Sequence, residues 1–320
     1  MKGIAVAGTV LLDKINEISK YPNSGELTKI NGVSKAVGGL VPNVGVDLKI
    51  MDKDLPVYAV GLIGNDGDGK FIKDTLKGYG LNVDFLVETE KAYTSFSDVM
   101  SITGGQRTFF TYAGACAEFG VDEIDFENLK VDMLHLGYFL LLDKIDNGDG
   151  IKILEKAKKY GLKTSIDLVS ENSDRYKQVL PCLKYVDNLI INEVEAGKML
   201  GIDPSADKIK DICYALKDQG VIDRVIIHMP NKGVCLSKDG YTEVNSLELP
   251  NGYIKGSTGA GDAFCAGALL GIYKGWSDKE ILSFASCSAA ASLSKPDAVS
   301  GMMEEKEVKN LEKIYKRKSL

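Results

Sequence analysis

Histidine is nearly absent from this chain, which has only His135 and His228 among 320 residues, so a metal centre built on several imidazoles is not expected. Its six cysteines, Cys116, Cys182, Cys213, Cys235, Cys265 and Cys287, form no C-x-x-C pair. In a chain of this length they read as free thiols in a reducing compartment. No apolar run is long enough to span a membrane. The one basic run, Lys316-Arg317-Lys318, reads as a solvated tail, and a formal net charge of −6 argues against a nucleic-acid partner. The opening stretch "MKGIAVAGTVLLDKI" has a short apolar run ended by Asp13, with no small-residue cleavage site after it. It reads as a first strand and not as a leader, and the expected location is the cytoplasm.

The residues that are present suit a globular protein, with 44% hydrophobic and 26% charged. Short runs rich in Val and Ile predict strands at Ile4–Ala7, Val57–Leu62, Met133–Gly137, Thr164–Leu168, Asn188–Ile191 and Val225–His228. Helical patterns lie between them. In Gly150–Tyr160, for example, Ile151, Leu154, Ala157 and Tyr160 share a face and Gly161 is the stop. Strand and helix in alternation predict a mostly parallel sheet sandwiched by helices. Two stretches, about 13–35 and 92–113, break the rhythm. The second reads as a hairpin, "TSFSDVMSI", a turn at Thr103-Gly104-Gly105-Gln106, then "RTFFTYAG". Together they are expected to form a small sheet, serving as a lid, as a dimer-forming flap, or as both.

"GSTGAGDAF", Gly256 to Phe264, crowds glycines ahead of a helical pattern that runs to Gly275, where "SDKE" opens the next helix with a capping box. A bare backbone at a helix N-terminus leaves amides uncovered beside the positive end of the dipole, an anion site suited to phosphate. Asp262 within it is either a helix-start acid or a base for a hydroxyl attacking that phosphate; local chemistry leaves both open. Two familiar motifs fail. No third glycine completes a Rossmann G-x-G-x-x-G, and "GNDGDGKF" puts Phe71 where a P-loop needs Ser or Thr. The second reads as a polar loop before a helix around Lys70–Lys77.

Four motifs in order resemble the ribokinase-like (PfkB) carbohydrate and nucleoside kinases: "VGGLVPN" from Val37, "GLIGNDGDG" from Gly61, "NEVE" from Asn192 and "STGAGDAFCAG" from Ser257. The resemblance covers nearly the whole chain. It implies one domain, residues 1–320, with an α/β/α ribokinase-like fold, a central mostly parallel sheet and a small β lid. It implies Asp262 as the catalytic base and the amides of Gly259, Ala260 and Gly261 as the anion hole for the transferring phosphoryl. Asn192 and Glu195 would orient Mg2+ and its waters beside ATP; a helix cap and a solvated acid are their plain alternatives. Asp13, Gly38, Gly39 and Asn43 would hold the sugar, with Arg107 of the lid in reach, although turn, cap and surface roles suit the same residues. Ser286 and the stretch 289–294 fall where the family packs adenine, and are equally plausible as helix packing.

Three departures from the pattern stand out. Gly256 replaces an Asp that commonly helps bind a monovalent cation. "HMPNKG" replaces a phosphate-contacting Thr-x-Gly turn, with only Gly233 retained, Pro230 lacking an N–H, and His228 either a phosphate donor or a packed strand-end side chain. Cys116 stands where many relatives carry Asn and reads as a packed thiol. The reading is an ATP-dependent kinase acting on a hydroxymethyl group of a small sugar, working as a homodimer through the lid. A nucleoside kinase, with lid residues Tyr93, Phe96, Phe109, Phe110 and Tyr112 around the base, is the nearest rival. A non-catalytic sugar- or nucleotide-binding regulator is the third.

Overall fold

Successive residues of β1 (Ile4–Ala7) enter different apolar clusters, Ile4 and Val6 one, Ala5 and Ala7 the other. This is the behaviour of a strand buried on both faces. The computed structural model describes residues 2–102 and 107–319. The remaining strands in it are β2 (Leu11–Ile18), β3 (Ile30–Gly38), β4 (Val57–Gly64), β5 (Asn82–Thr89), β6 (Phe96–Ile102), β7 (Arg107–Tyr112), β8 (Met133–Phe139), β9 (Lys163–Leu168), β10 (Asn188–Asn192), β11 (Arg224–His228), β12 (Lys232–Ser237) and β13 (Gly240–Asn245). Among the described residues they form a large sheet in the order β13-β12-β11-β10-β9-β8-β1-β4-β5 and a small one in the order β3-β2-β6-β7. The large sheet is parallel from β11 across to β5, with β12 and β13 antiparallel at one edge.

Helices cover both faces. The cluster holding Ile4 is closed by α1 (Leu40–Met51), α2 (Gly67–Gly78), α7 (Ala260–Lys274), α8 (Asp278–Ser292) and α9 (Glu305–Ile314). The cluster holding Ala5 is closed by α3 (Gly114–Ala117), α4 (Gly150–Lys159), α5 (Glu193–Leu200) and α6 (Ile209–Asp218). The three-layer α/β/α architecture with a separate small sheet is the one expected, and all six expected strands are present. Three others were not foreseen. Two of them, β5 and β13, lie at the sheet edges and mix exposed with buried positions, so they lack a continuous apolar run. Asp13 does not end the first strand. The chain leaves β1 at Gly8 (φ 143), where any Cβ would lie 2.6 Å from the Gly137 carbonyl oxygen, and Asp13 belongs to β2.

The lid is antiparallel between β2 and β3, parallel between β2 and β6, and antiparallel between β6 and β7. The turn expected at Thr103-Gly104-Gly105-Gln106 lies outside the described residues. Lys14 and Lys35 of the lid both reach Asp68 of α2, at 2.7 and 2.8 Å, tying lid to body. Asp66 caps α2 by accepting from the Gly69 amide at 2.8 Å, so the acids of the P-loop look-alike serve structure. The basic C-terminal stretch is not a solvated tail. Arg317 bridges to Leu247, and Lys318 Nζ donates to the Pro230 carbonyl at 3.1 Å. Among the described residues no helix is long and apolar enough to cross a membrane.

Helix α7 packs against α8 at Gly267, where a Cβ would meet Ser288 Oγ at 2.5 Å and Ala285 Cα at 2.9 Å. Overpacking of this kind costs about 1–3 kcal/mol. Gly267→Val is therefore expected to lower the urea midpoint by a corresponding amount with an unchanged m-value. An unchanged midpoint would refute the close approach.

Candidate active site

Gly259, at φ 79, turns the chain into α7, and a Cβ there would lie 2.5 Å from Ala298 Cα, so only glycine fits. The first-turn amides of α7 have no intrahelical acceptor. One of the three expected anion-hole amides is already engaged, since Ala260 N donates to the Ser257 carbonyl at 3.3 Å. The His228 ring sits beside this turn, with its Cε1 3.6 Å from where a Gly261 Cβ would be, and it stacks on Phe264 at 4.9 Å between centroids.

Asp262 lies in the first turn of α7 and is 8% exposed. Asn43, one turn into α1, donates from Nδ2 to Asp262 Oδ2 at 2.8 Å. The Tyr138 hydroxyl lies 3.0 and 2.9 Å from Oδ1 and Oδ2. Tyr138 lies near the end of β8, which is distorted, with positive φ at Tyr138 (56°) and at Leu140 (80°) just beyond it. Backbone strain of that kind is concentrated at functional sites.

Asp262 is one of several buried acids. Asp167 at the end of β9 is 6% exposed, Glu195 of α5 is 3% exposed, and Asp47, one turn after Asn43, is fully buried with neither carboxylate oxygen partnered. Burial first, and the nearby Asp167 charge second, push the Asp262 carboxyl up to about 7. Glu195 is raised to about 7, mainly by burial. Asp47 is pushed well above the usual range by burial and by the charges of Asp262 and Asp297. Asn192 and Glu195 form a reciprocal helix cap. Asn192 Oδ1 accepts from Glu195 N at 2.9 Å, Glu195 Oε2 from Asn192 N at 3.0 Å, and Glu195 Oε1 from Ser170 Oγ at 2.9 Å.

These groups open onto two adjoining cavities. One, of about 320 Å³, is lined by Tyr138, Asp167, Ser170, Glu195, Gly259 and Asp262 among others. The second, of about 610 Å³, is more apolar, with Leu247, Leu249, Ile254, Phe264, Ser286, Ala289 and Leu293 in its wall and Lys232 and Lys318 among its polar groups. Asn192, His228, Ser257 and Gly261 line both. The arrangement is an acid-lined chamber holding a buried carboxyl at a helix N-terminus, beside a pocket of the size small-molecule ligands occupy.

A family model described as "pfkB family carbohydrate kinase" matches residues 1–306. The chain belongs to the pfkB family of carbohydrate kinases. Ribokinase from Arabidopsis thaliana is 25% identical over 97% of this chain and 81% of its own length. Nucleoside kinase from Methanocaldococcus jannaschii is 23% identical over 86% of this chain and 85% of its own. The crystal structure of the Arabidopsis ribokinase complexed with ribose and ATP superposes with a TM-score of 0.81 at 24% identity, covering 97% of this chain and 98% of that one.

In this kinase the tertiary fold brings Asn192, Glu195, His228, Ser286 and the 259–262 turn to the two cavities, and Asn43 to Asp262 behind them. Gly38 and Gly39 join the lid to α1. A Cβ at Gly38 would lie 2.7 Å from Asp13 Oδ2, and one at Gly39 (φ 90) would lie 2.7 Å from the Thr9 carbonyl oxygen. Arg107 is exposed on β7, and its charge offsets part of the effect of burial on Asp13. Gly233 pairs with His228 in register but is buried, with a Cβ position 3.1 Å from Phe264 Cζ; it makes room for that ring. At Gly256 a Cβ would sit 2.9 Å from the Pro296 carbonyl oxygen, so no acid fits there. Cys116 is a packed thiol, bonded through Sγ to Val10 N and O at 3.3 and 3.2 Å. The sequence reading missed Tyr138, Asp167, Ser170 and Asp47, none of which belongs to a motif.

In the folded chain Asp262 and Glu195 hold their protons up to about 7, against ordinary values of 3.8 and 4.5. The folded state thus binds more protons than the unfolded one across that window. Their contribution makes stability fall as pH rises from about 4 to about 7 and level off above. Asp262→Asn is expected to flatten this fall, read as urea midpoints at pH 5 and pH 8. Equal falls in the two proteins would exclude the raised carboxyl.

Proposed function

We propose that this kinase transfers the terminal phosphoryl group of ATP to a hydroxymethyl group of a small sugar, with Asp262 as base. The observation that carries the reading is the position of Asp262, buried between an acceptor-side cluster of Asn43 and Tyr138 and the uncovered amides of the α7 N-terminus. As the acceptor oxygen attacks phosphorus, its proton passes to the Asp262 carboxylate. The bond to the bridging oxygen breaks and ADP leaves. The amides of Gly259 and Gly261, with the α7 dipole, stabilise charge on the transferring group, and Ala260 contributes once its amide turns from Ser257. The incoming hydroxyl takes the place of the Tyr138 hydroxyl on Asp262. The apolar cavity with Ser286 suits adenine, and His228 over Gly261 takes the place of the missing phosphate-turn hydroxyl.

An acidic chamber repels a triphosphate unless a cation accompanies it. Glu195, Asn192, Asp167 and Ser170 offer hard oxygen donors, a set that fits Mg2+, which keeps several waters. Both Glu195 oxygens are already engaged in the cap and with Ser170, which favours contact through water. Bound there, the ion would neutralise phosphate charge.

The lid register favours a sugar over a nucleoside. Directly paired residues share a face, and faces alternate along each strand. Asp13, Ser97, Thr111 and Arg107 therefore lie on one face, with Ser97 Oγ 3.2 Å from Thr111 Oγ1. Lys14, Phe96, Phe110 and Tyr112 lie on the other, where Lys14 Nζ sits 3.9 Å over the Phe96 ring. Most of the aromatics a nucleobase would want are thus turned away from Asp13, and Phe109 alone of the β6 and β7 aromatics shares its face. Phe110, 59% exposed on edge strand β7, supports homodimer formation through the lid.

Turnover should appear on one acceptor class when pentoses, hexoses, ketoses and nucleosides are tested with Mg-ATP. Asp262→Asn should cut kcat by about 10²–10⁴-fold while acceptor affinity persists. ATP binding without turnover on any acceptor would favour the regulator. Turnover confined to nucleosides would overturn the sugar reading. For the assembly, Phe110→Glu is expected to shift the chain from dimer to monomer in sedimentation velocity, and a monomeric parent would end that part of the proposal.

A further inference from the structure

One helical turn beyond Asp262, the same helix carries Cys265, 2% exposed, and its thiol points at two other buried groups. Cys265 Sγ lies 3.5 Å from His135 Nε2, and His135 Nε2 lies 3.3 Å from Asp167 Oδ2. One ligand atom from each of the three falls within 4.8 Å of the other two. His135 is fully buried in β8 and Asp167 is 6% exposed in the neighbouring β9, so the parallel pairing of these strands and the packing of α7 create the cluster.

Two of the three edges have the spacing of a coordination polyhedron. Zinc–nitrogen and zinc–oxygen bonds of about 2.0–2.1 Å at tetrahedral angles separate N and O by about 3.3 Å. A zinc–sulfur bond of about 2.3 Å separates S and N by about 3.6 Å. The observed 3.3 and 3.5 Å match both edges. The outer atoms of the ligands have partners of their own. His135 Nδ1 lies 2.9 Å from Ser165 Oγ, a hydroxyl able to accept from Nδ1–H in the tautomer that leaves Nε2 to ligate, and Asp167 Oδ1 accepts from Tyr138 N at 2.7 Å, leaving Oδ2. Asp167 and Cys265 both line the 320 Å³ cavity, which leaves space beside them for a further ligand.

We propose that His135, Asp167 and Cys265 form a site for a thiophilic first-row dication, zinc by preference, which shares only Asp167 with the oxygen-donor set suited to Mg2+. Thiolate and imidazole donors select against Mg2+ and Ca2+. Binding forms one bond each from the metal to Sγ, Nε2 and Oδ2 and displaces three of the ion's waters. The Cys265 thiol proton is released to solvent, and no electron is transferred. The ion would place positive charge behind the Asp262 carboxylate and favour its ionised form.

The test needs no turnover, so its failure is separate from failure of the kinase reading. The full chain, stripped with chelator and kept reduced, is titrated with Zn2+ against a chromophoric competitor. One equivalent is expected to bind. Cys265→Ser should weaken binding at least about 10-fold, and Ser165→Ala, which touches no metal, by about 10–100-fold. Cys287→Ser, a buried cysteine of α8 outside the cluster, should bind as the parent does. Co2+ should give a thiolate-to-metal absorption band in the parent that Cys265→Ser lacks. Absence of one-to-one Zn2+ binding, affinity indifferent to both Cys265→Ser and Ser165→Ala, or a Co2+ complex without the thiolate band would overturn the site.

Discussion

The active centre rests on the burial of negative charge. Asp262, Asp167, Glu195 and Asp47 are withdrawn from water within one region, and three of them hold their protons more tightly as a result. Leaving so many acids with few compensating charges costs stability. The same arrangement supplies what phosphoryl transfer asks of a protein. A carboxyl raised to about 7 is a base matched to neutral pH, and the surrounding acids create a field that a cation must enter to relieve.

The scaffold meets that demand with rigid parts. Asp262 rides on α7, held to α8 by the close approach at Gly267, while its partners Asn43 and Tyr138 come from α1 and the end of β8. Elements separated by more than a hundred residues converge because the parallel sheet places its strand ends at one rim, the usual site of ligand binding in α/β folds. Glu195 and Asn192 combine a structural role with a place at the cavity wall. Their reciprocal cap satisfies amides of α5, and the same capped pair faces the chamber.

The departures from the family pattern acquire physical reasons. Gly256 is glycine because the Pro296 backbone lies against it, and Gly233 is glycine because Phe264 does. His228 stands at the wall shared by both cavities, stacked on Phe264.

Much of this protein was legible in its residues. Buried strands announced themselves as unbroken Val and Ile runs, and the helix starting at Ala260 by its glycine-rich approach, because local geometry alone demands those residues. The four motifs carried the family, and with it Asp262, Asn43, Asn192 and Glu195. The edge strands β5 and β13 were missed because their partly exposed positions remove the apolar signal. Tyr138 and Asp167, at the ends of β8 and β9, and Ser170 just after β9 were missed because they stand at no fixed spacing from any motif. The face on which each lid aromatic lies was equally out of reach, since alternation along a strand is visible in sequence but its phase is set only by pairing. The sequence by itself determined the architecture and the family. The tertiary structure decided which acids surround Asp262, what holds it, and which lid residues share a face with Asp13, because those depend on contacts between segments far apart in the chain.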